Sequence, residues 1–584
     1  MSNLLMLLSI GLPWLGAIVI WLLGEKQRKT QHLLATVFSV TAGMASIFLL
    51  GYGSNQITLR ISMGRYFGDF TLIPDGLGVF LSAIATLVGS LTVIYSMDYM
   101  RKEDQLRRYY ALVLLFIGAM AGLGLSGSLL FMFLFWEITA FCSYALISFH
   151  NDDPKAVAGG IKALIVTQLG GIGLLIGAMV IRAQIGSYQI HDFLMQAGTF
   201  PPHVLSLIAF GFLAAAIAKS AQVPLHTWLP DAMEAPTPVT ALIHAATMVN
   251  AGVYLLARFY PALSEVPGWT LSVIVVGLLS AILAALMALA SNDIKRALAY
   301  STISQLGYMV YAIGTGAVFA SQFHLLSHSI FKALLFLSAG AVIQSVGTRD
   351  MRAMGNLGKD MPFVRTVFII GCMALAGLPI ANGFFSKELI LEHGLVHSPR
   401  WAYLCMLIGA GITALYSLRM VSMIFYGERK YTEATNDAPP AMRVSLSTLS
   451  LAVFTTWLMV GAFGNLLSNS LPFHQIQTLK VDELVLDLVA APSTWLALLV
   501  IFVGFSFWTL RTHLRSFLGT LQPLVSLTEA GFGFEEMNQG VVQVTKRLSS
   551  IVRITQTGQL NWNVVGIAGG LCIVLTLLAW GGVK

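Results

Sequence analysis

The chain has 584 residues, 56% of them hydrophobic and only 10% charged, and its mean hydropathy is +0.77. A soluble domain carries about 25% charged residues; this chain instead repeats apolar runs of roughly 20 residues, each long enough to cross a bilayer. A spanning β-barrel, which would read as short alternating segments, is excluded, and the net charge of +7 follows from the loops without any nucleic-acid partner.

The first apolar run, residues 4–23, is too long for a signal-peptide core and follows no basic stretch, so a retained helix is expected there. Breaks at charges, Pro and Gly place about sixteen helices along an all-α polytopic membrane chain. They fall near 3–24, 32–51, 73–97, 109–127, 129–149, 159–182, 204–222, 238–257, 268–290, 297–316, 320–345, 363–390, 402–425, 444–468, 494–511 and 562–581. The expected organisation is three helices over 1–108, five over 109–260, five over 261–430, two more over 431–511, an amphipathic surface segment over 512–561 and a last span over 562–584.

Loops after odd-numbered helices hold "EKQRK", "RKEDQLRR", "NDIKR", "TRDMRAMGNLGKD" and "GERK", and with them most of the loop Lys and Arg. The positive-inside rule then puts those loops in the cytoplasm and both termini on the outer side of the cell membrane. The stretch "SLTEAGFGFEEMNQGVVQVTKRLSSIVRITQTGQL" has apolar residues at helical spacing among Lys546, Arg547 and Arg553. It is expected to lie along the membrane face or against a neighbour.

The four cysteines, Cys142, Cys372, Cys405 and Cys572, stand singly in apolar runs with no metal-ligand spacing. There is no Cys cluster, no Walker A sequence and no GxGxxG after a strand. Neither electron transfer, ATP hydrolysis nor a bound cofactor is expected within this chain.

Charges inside the spans carry the functional signal. Glu137, Lys162, Lys219, Lys332, Lys387 and Arg419 all fall within expected helices, where each charge costs about 2.5–3.5 kcal/mol on insertion scales. Such groups mark ion or proton pathways by default. Glu137 sits in the apolar run "FMFLFWEITAFCSYALISF" and is expected to pair with a lysine. Lys219 precedes "PLHTWLPDAMEAPTP", a Pro-rich polar stretch that breaks the seventh helix. Discontinuous helices of this kind form ion sites in transporters, although a lysine at a helix end can also reach interfacial water.

His244 follows in "ALIHAATMVNAGVYLLAR" as a proton-exchanging imidazole or a buried hydrogen-bonded one, and Asn250 reads as interhelical glue. In "FHLLSHSIFKALLFLSAG", His324, His328 and Lys332 stand four residues apart, about 6 Å per step on one helix face. The same spacing suits a metal pair, but no third ligand accompanies it, and no metal is expected. "GLPIANGFFSKELI" is a second broken helix carrying Lys387. Two interrupted helices, each with a lysine, are what an internal structural repeat would leave. Lys162 and Arg419 are equally readable as snorkelling or interfacial cations.

"HTWLPDAMEAPTPVTALIHAATMVNAGVYLLAR", "AYSTISQLGYM", "SHSIFKALLFLSAGAV" and "GFFSKE" occur in order between about residues 75 and 430. With them the chain resembles the antiporter-like subunits of respiratory complex I, energy-converting hydrogenases and Mrp cation/proton antiporters. The tail resembles the large complex I subunit of this type. The resemblance implies two inverted five-helix repeats with helices 7 and 12 broken, and a proton relay through Glu137, Lys219, His244, His324, His328, Lys332 and Lys387. It also implies partners: other membrane subunits of a complex in the cell membrane. Gly171 departs from the large complex I subunit, which has an acidic residue there, and Asn250 stands where the Mrp large subunit commonly carries a lysine.

The expected function is proton translocation in a complex I-like or hydrogenase-like redox assembly. The alternatives are an Mrp sodium/proton antiporter subunit binding Na⁺ through broken-helix carbonyls and Asp231 or Glu234, the proton-conducting partner of an inorganic-carbon uptake system, or a structural subunit.

Overall fold

The computed structural model describes residues 1–53, 56, 59–431, 436–470, 478–514, 519–520, 522–554 and 569. It forms a large unit over Met1–Gln522 and a small one over Pro523–Lys584.

The large unit begins with α1 (Ser2–Leu22) and α2 (Arg28–Leu50), followed by an antiparallel hairpin of β1 (Leu59–Ser62) and β2 (Asp69–Leu72) that the hydropathy pattern does not signal. Next come α3 (Gly76–Tyr99), α4 (Leu106–Leu125), α5 (Leu129–Ile147), α6 (Pro154–Ile185) and the short α7 (Ile190–Gln196). Then α8 (Pro202–Lys219) breaks, and the chain passes through α9 (Trp228–Asp231) and α10 (Thr237–Ala241) to α11 (Asn250–Leu263). After these stand α12 (Trp269–Ala290), α13 (Ile294–Gly314), α14 (Val318–Val346), α15 (Leu357–Asp360), α16 (Pro362–Ala376), α17 (Asn382–His397) and α18 (Arg400–Phe425). The unit closes with α19 (Pro440–Thr455), α20 (Val460–Ser468), α21 (Val481–Ala490) and α22 (Pro492–Thr509).

Local chemistry sets many of these ends. Proline opens α6, α8, α16, α19 and α22, where its missing N–H is not needed. Asp153 and Asp293 cap α6 and α13 through their carboxylates.

Thirteen helical spans among the described residues are long and apolar enough to cross a membrane, counting the composite runs Thr237–Leu263 and Pro440–Ser468 as one each. α13 is not one of them, because Lys295, Arg296 and its Ser, Thr, Gln and Tyr residues lower its hydropathy, and the α16–α17 pair is divided by its break. The last expected span, 562–581, lies outside the described residues apart from residue 569. The expected single helix over 238–257 is three pieces, α10, a π-helical turn over Leu242–Ala246, and α11. The expected helix over 363–390 is α16 plus α17, and the one over 444–468 is interrupted by a 3₁₀ turn over Thr456–Met459.

α4, α5, α6, α8 and α11 pack in sequence, each on the next, and α12, α13, α14, α16 and α18 repeat that order. Two of these interfaces are closed by facing glycines. A Cβ on Gly173 of α6 would lie 2.3 Å from the Gly211 carbonyl of α8, and one on Gly277 of α12 would lie 2.7 Å from the Gly307 carbonyl of α13. Small residues let helices approach where the lipid supplies no hydrophobic drive for their association.

In the small unit, the helix Phe534–Ile554 exposes Val541, Val544, Leu548 and Ile551 at helical spacing beside exposed Lys546 and Arg547.

One ion pair ties the first repeat to the N-terminal helices. Asp75 caps α3, its Oδ1 accepting from Gly78 N at 3.0 Å. It also receives the Arg258 guanidinium, with Nη2 to Oδ1 at 2.8 Å and Nη1 on Oδ2. Both side chains are buried. Tyr254 accepts from Arg258 Nη2 at 2.6 Å and donates to the Gly124 carbonyl at 2.8 Å, which brings in α4. Removing one partner of a buried pair leaves an uncompensated charge. Arg258→Ala is therefore expected to destabilise the detergent-purified protein by about 3–5 kcal/mol, read as a fall in thermal midpoint. The Asp75→Asn/Arg258→Met double variant is expected to recover part of that loss.

Candidate functional site

At the first break the chain satisfies its freed backbone groups with side chains. The Ala218 carbonyl accepts from Trp228 Nε1 at 2.9 Å, Ser220 Oγ donates to the Val249 carbonyl at 2.6 Å, and Val223 N donates to Ser280 Oγ at 2.9 Å. Lys219, fully buried at the end of α8, points back to α5. Its Nζ donates to the Trp136 carbonyl at 2.8 Å and lies 4.9 Å from the Trp136 ring centre.

Glu137, the next residue on α5, stands within electrostatic reach of Lys219. Its Oε2 accepts from Gln168 Nε2 at 3.3 Å, while Oε1 is buried without a hydrogen-bond partner among the described residues. The carboxylate is half-buried and opens toward α6, not enclosed as its apolar sequence neighbours suggest. A Cβ on Gly171 would lie 2.8 Å from Glu137 Oε1. The position that departs from the large complex I subunit thus adjoins this carboxylate, and its lack of a side chain leaves room for Glu137 Oε1.

His244 sits in the π-helical turn, a distortion that frees backbone carbonyls and recurs at functional sites. Thr247 Oγ1 donates to the Leu242 carbonyl at 2.6 Å, and Asn250 Nδ2 donates to the Ala245 carbonyl at 2.9 Å and to Ser329 Oγ at 3.2 Å. Asn250 is thus both glue to α14 and the cap of the distortion. His244 is buried, neither ring nitrogen has a hydrogen-bond partner among the described residues, and Lys295 and Lys332 stand within electrostatic reach.

On α14, Lys332 Nζ donates to the Leu298 carbonyl at 3.2 Å and to Ser301 Oγ, both on α13. His328 lies between Lys332, His324 and His244 electrostatically. His324 meets Ser386 Oγ of α17 at 2.9 Å through Nδ1 and Gln305 Oε1 of α13 at 3.2 Å through Nε2. Lys387, one residue past Ser386, donates to the Leu375 carbonyl at 2.9 Å, at the end of α16, and lies 5.4 Å from the Tyr308 ring centre.

The seven expected residues therefore form two groups, Glu137–Lys219 and His244–Lys332–His328–His324–Lys387. No hydrogen bond or ion pair among the described residues joins Lys219 directly to His244.

Lys162 and Arg419 take fastening roles. Lys162 Nζ bonds Asp231 Oδ2 at 2.8 Å, and Arg419 donates to the Ser291 carbonyl at 2.7 Å and Asn292 Oδ1 at 2.6 Å. Asp231 also takes Arg296 at 3.2 Å, and Glu234 takes Arg349 Nη2 at 3.0 Å.

Sequence reading missed Lys295, counted among the loop charges of "NDIKR". It is buried, and its Nζ donates to the Met233 and Ala235 carbonyls at 2.9 and 2.6 Å, holding the re-entrant segment. The only signal was its place one residue inside a helix. Among the described residues, no group of three His, Cys, Asp or Glu side chains could hold a metal ion.

Two family models match. Residues 126–413 match the transmembrane model of NADH:quinone oxidoreductase/Mrp antiporters, and residues 61–110 match the model of the N-terminus of complex I chain 5. A Na(+)/H(+) antiporter subunit A1 of Staphylococcus aureus is 34% identical over 549 residues, covering 86% of this chain and 68% of the relative. The chain belongs to the NADH:quinone oxidoreductase/Mrp antiporter family.

Within that family, subunit A1 of S. aureus strain Newman is 35% identical over 80% of this chain, which spans 63% of it. The chain thus spans about two thirds of the length of these curated relatives. The Mrp complex of Dietzia sp. DQ12-45-1b superposes with a TM-score of 0.81 at 26% identity, over 100% of this chain and 63% of that one. An archaeal membrane-bound sulfane sulfur reductase, an archaeal respiratory membrane complex, shares the fold at a TM-score of 0.71 and 24% identity, over 80% of this chain and 96% of that one. The S. aureus relatives are named as antiporter subunits, and the Dietzia structure is of a complex. The break that carries His244 is maintained by Asn250, so Asn250→Leu is expected to destabilise the protein by about 1–3 kcal/mol through the orphaned Ala245 carbonyl. Thermal unfolding of the purified protein measures it.

Proposed function

We propose that this chain translocates protons within a larger membrane assembly of its family. The observation that carries the reading is the line of buried titratable side chains from His244 to Lys387, with Glu137–Lys219 at the first break. Buried charges of this kind are too costly to persist unused, at about 2.5–3.5 kcal/mol each.

In this reading a proton enters from the cytoplasmic side and reaches Lys219, whose charge Glu137 biases. Water spans the interval to His244, and the proton then passes along Lys332, His328 and His324 to Lys387. Charges 4–6 Å apart interact strongly in a medium less polar than water. A change of charge at one group therefore biases the next, and redox or ion movement in a partner subunit is coupled electrostatically. Outward-facing termini, from the loop charges, give the path its direction.

The curated relatives are named Na(+)/H(+) antiporter subunits, which favours an Mrp-type parent as a second reading. A redox-driven parent is equally compatible with the relay. In either case Asp231 and Glu234 are poor candidates for a Na⁺ site, because both are already held by cationic side chains. Lys219→Ala, Lys332→Ala and Glu137→Gln in the reconstituted complex are each expected to reduce proton movement by about tenfold or more, read with a pH-sensitive dye. Full transport in all three variants would overturn the reading.

A further inference from the structure

The relay as described stops at Lys387, inside the protein. Beyond it α17 carries Glu388, and one turn on Glu392 and His393. Glu388 is 1% exposed, and its Oε2 has no hydrogen-bond partner among the described residues. A buried carboxylate oxygen without a partner is costly and rarely kept for stability.

Adjacent Lys387 does not satisfy it: the ammonium is turned to the Leu375 carbonyl. A second buried orphan, the Tyr403 hydroxyl of α18, stands within electrostatic reach of Glu388. So do Tyr308, whose hydroxyl is committed to the Met406 carbonyl at 2.6 Å, and Glu392.

Glu392 is four residues after Glu388, a spacing that brings side chains about 5–6 Å apart on one helix face. It is half-buried and within electrostatic reach of Asp487 on α21, which packs against α17. Asp487 is exposed. The three carboxylates thus run in order of exposure from the inner end of the relay to the surface.

We propose that Glu388, Glu392 and Asp487 form a proton ladder between Lys387 and the aqueous surface. The inference rests on the proton-relay reading and extends it to a defined exit. Lys387 in its ammonium form gives a proton to the Glu388 carboxylate, breaking an N–H bond and forming an O–H bond, with a neutral amine and a carboxylic acid left behind. Glu388 passes the proton to Glu392 and Glu392 to Asp487, which releases it to water. Only protons move, and no electron is transferred. Asp487 lies on a separate helix, so the ladder depends on α21 staying against α17.

The test uses the full chain in its assembled complex, reconstituted in liposomes, with proton transport followed in H₂O and D₂O. Glu392→Gln is expected to slow transport by about tenfold or more and to raise the solvent isotope effect, because the exit step becomes limiting. Glu392→Asp is expected to retain most of the rate. Asp487→Asn, at an exposed position, tests the ladder even where Glu392→Gln does not assemble, and is expected to slow transport in the same direction with assembly unchanged. Normal transport in the Glu392→Gln/Asp487→Asn double variant, with Lys332→Ala inactive, would overturn the ladder and leave the relay standing. So would an equal loss in Glu392→Asp with an unchanged isotope effect, which marks a structural role. Full activity in Lys332→Ala would instead remove the relay reading itself.

Discussion

Inside a bilayer no water completes an unpaired backbone group, and each one left open costs several kcal/mol. The fold depends on how that constraint is met at its three breaks. At the first, Trp228 and Ser220 take carbonyls and Ser280 accepts from Val223 N. At the second, Thr247 and Asn250 close the π-helical turn around His244. At the third, Lys387 caps α16. Lys295 seals the re-entrant segment between the first two.

The same constraint explains why the titratable groups are where they are. A lysine that caps a buried carbonyl is held in place by a neutral dipole, so its charge is not neutralised by a carboxylate. Lys219 on the Trp136 carbonyl, Lys332 on the Leu298 carbonyl and Lys387 on the Leu375 carbonyl share this arrangement. By contrast, Asp75–Arg258, Lys162–Asp231 and Arg349–Glu234 are close pairs that fasten segments together. Contact geometry thus separates the charges held in close ion pairs from the lysines held by backbone carbonyls.

The two packing series, α4 to α11 and α12 to α18, place the breaks in corresponding positions but not their lysines. Lys219 lies before its break and reaches to another helix; Lys387 lies after its break and reaches back across it. The central helix α14 joins the two halves through Asn250–Ser329 on one side and His324–Ser386 on the other. The helix with the His/His/Lys spacing is therefore also the one that contacts the breaks at His244 and before Lys387.

Hydropathy and charge by themselves determined the membrane class, most helix positions, the two Pro-marked breaks and the intramembrane places of Glu137, Lys219, Lys332 and Lys387. These are readable because a charge or a proline in an apolar run is rare and its cost does not depend on what lies nearby. Tertiary structure alone decided what each charge touches. Lys295 and Arg258 read as loop residues, yet they are buried, because helix ends at different depths of the bundle are not distinguished by hydropathy. The break at His244 has no proline or glycine at its centre; it exists because Asn250 and Thr247 offer the carbonyls an alternative partner. Asp231 and Glu234, open to reading as ion ligands, are held by cations from α6, α13 and the segment after α14. Pairing of this kind joins residues distant in the chain, and periodicity carries no record of it.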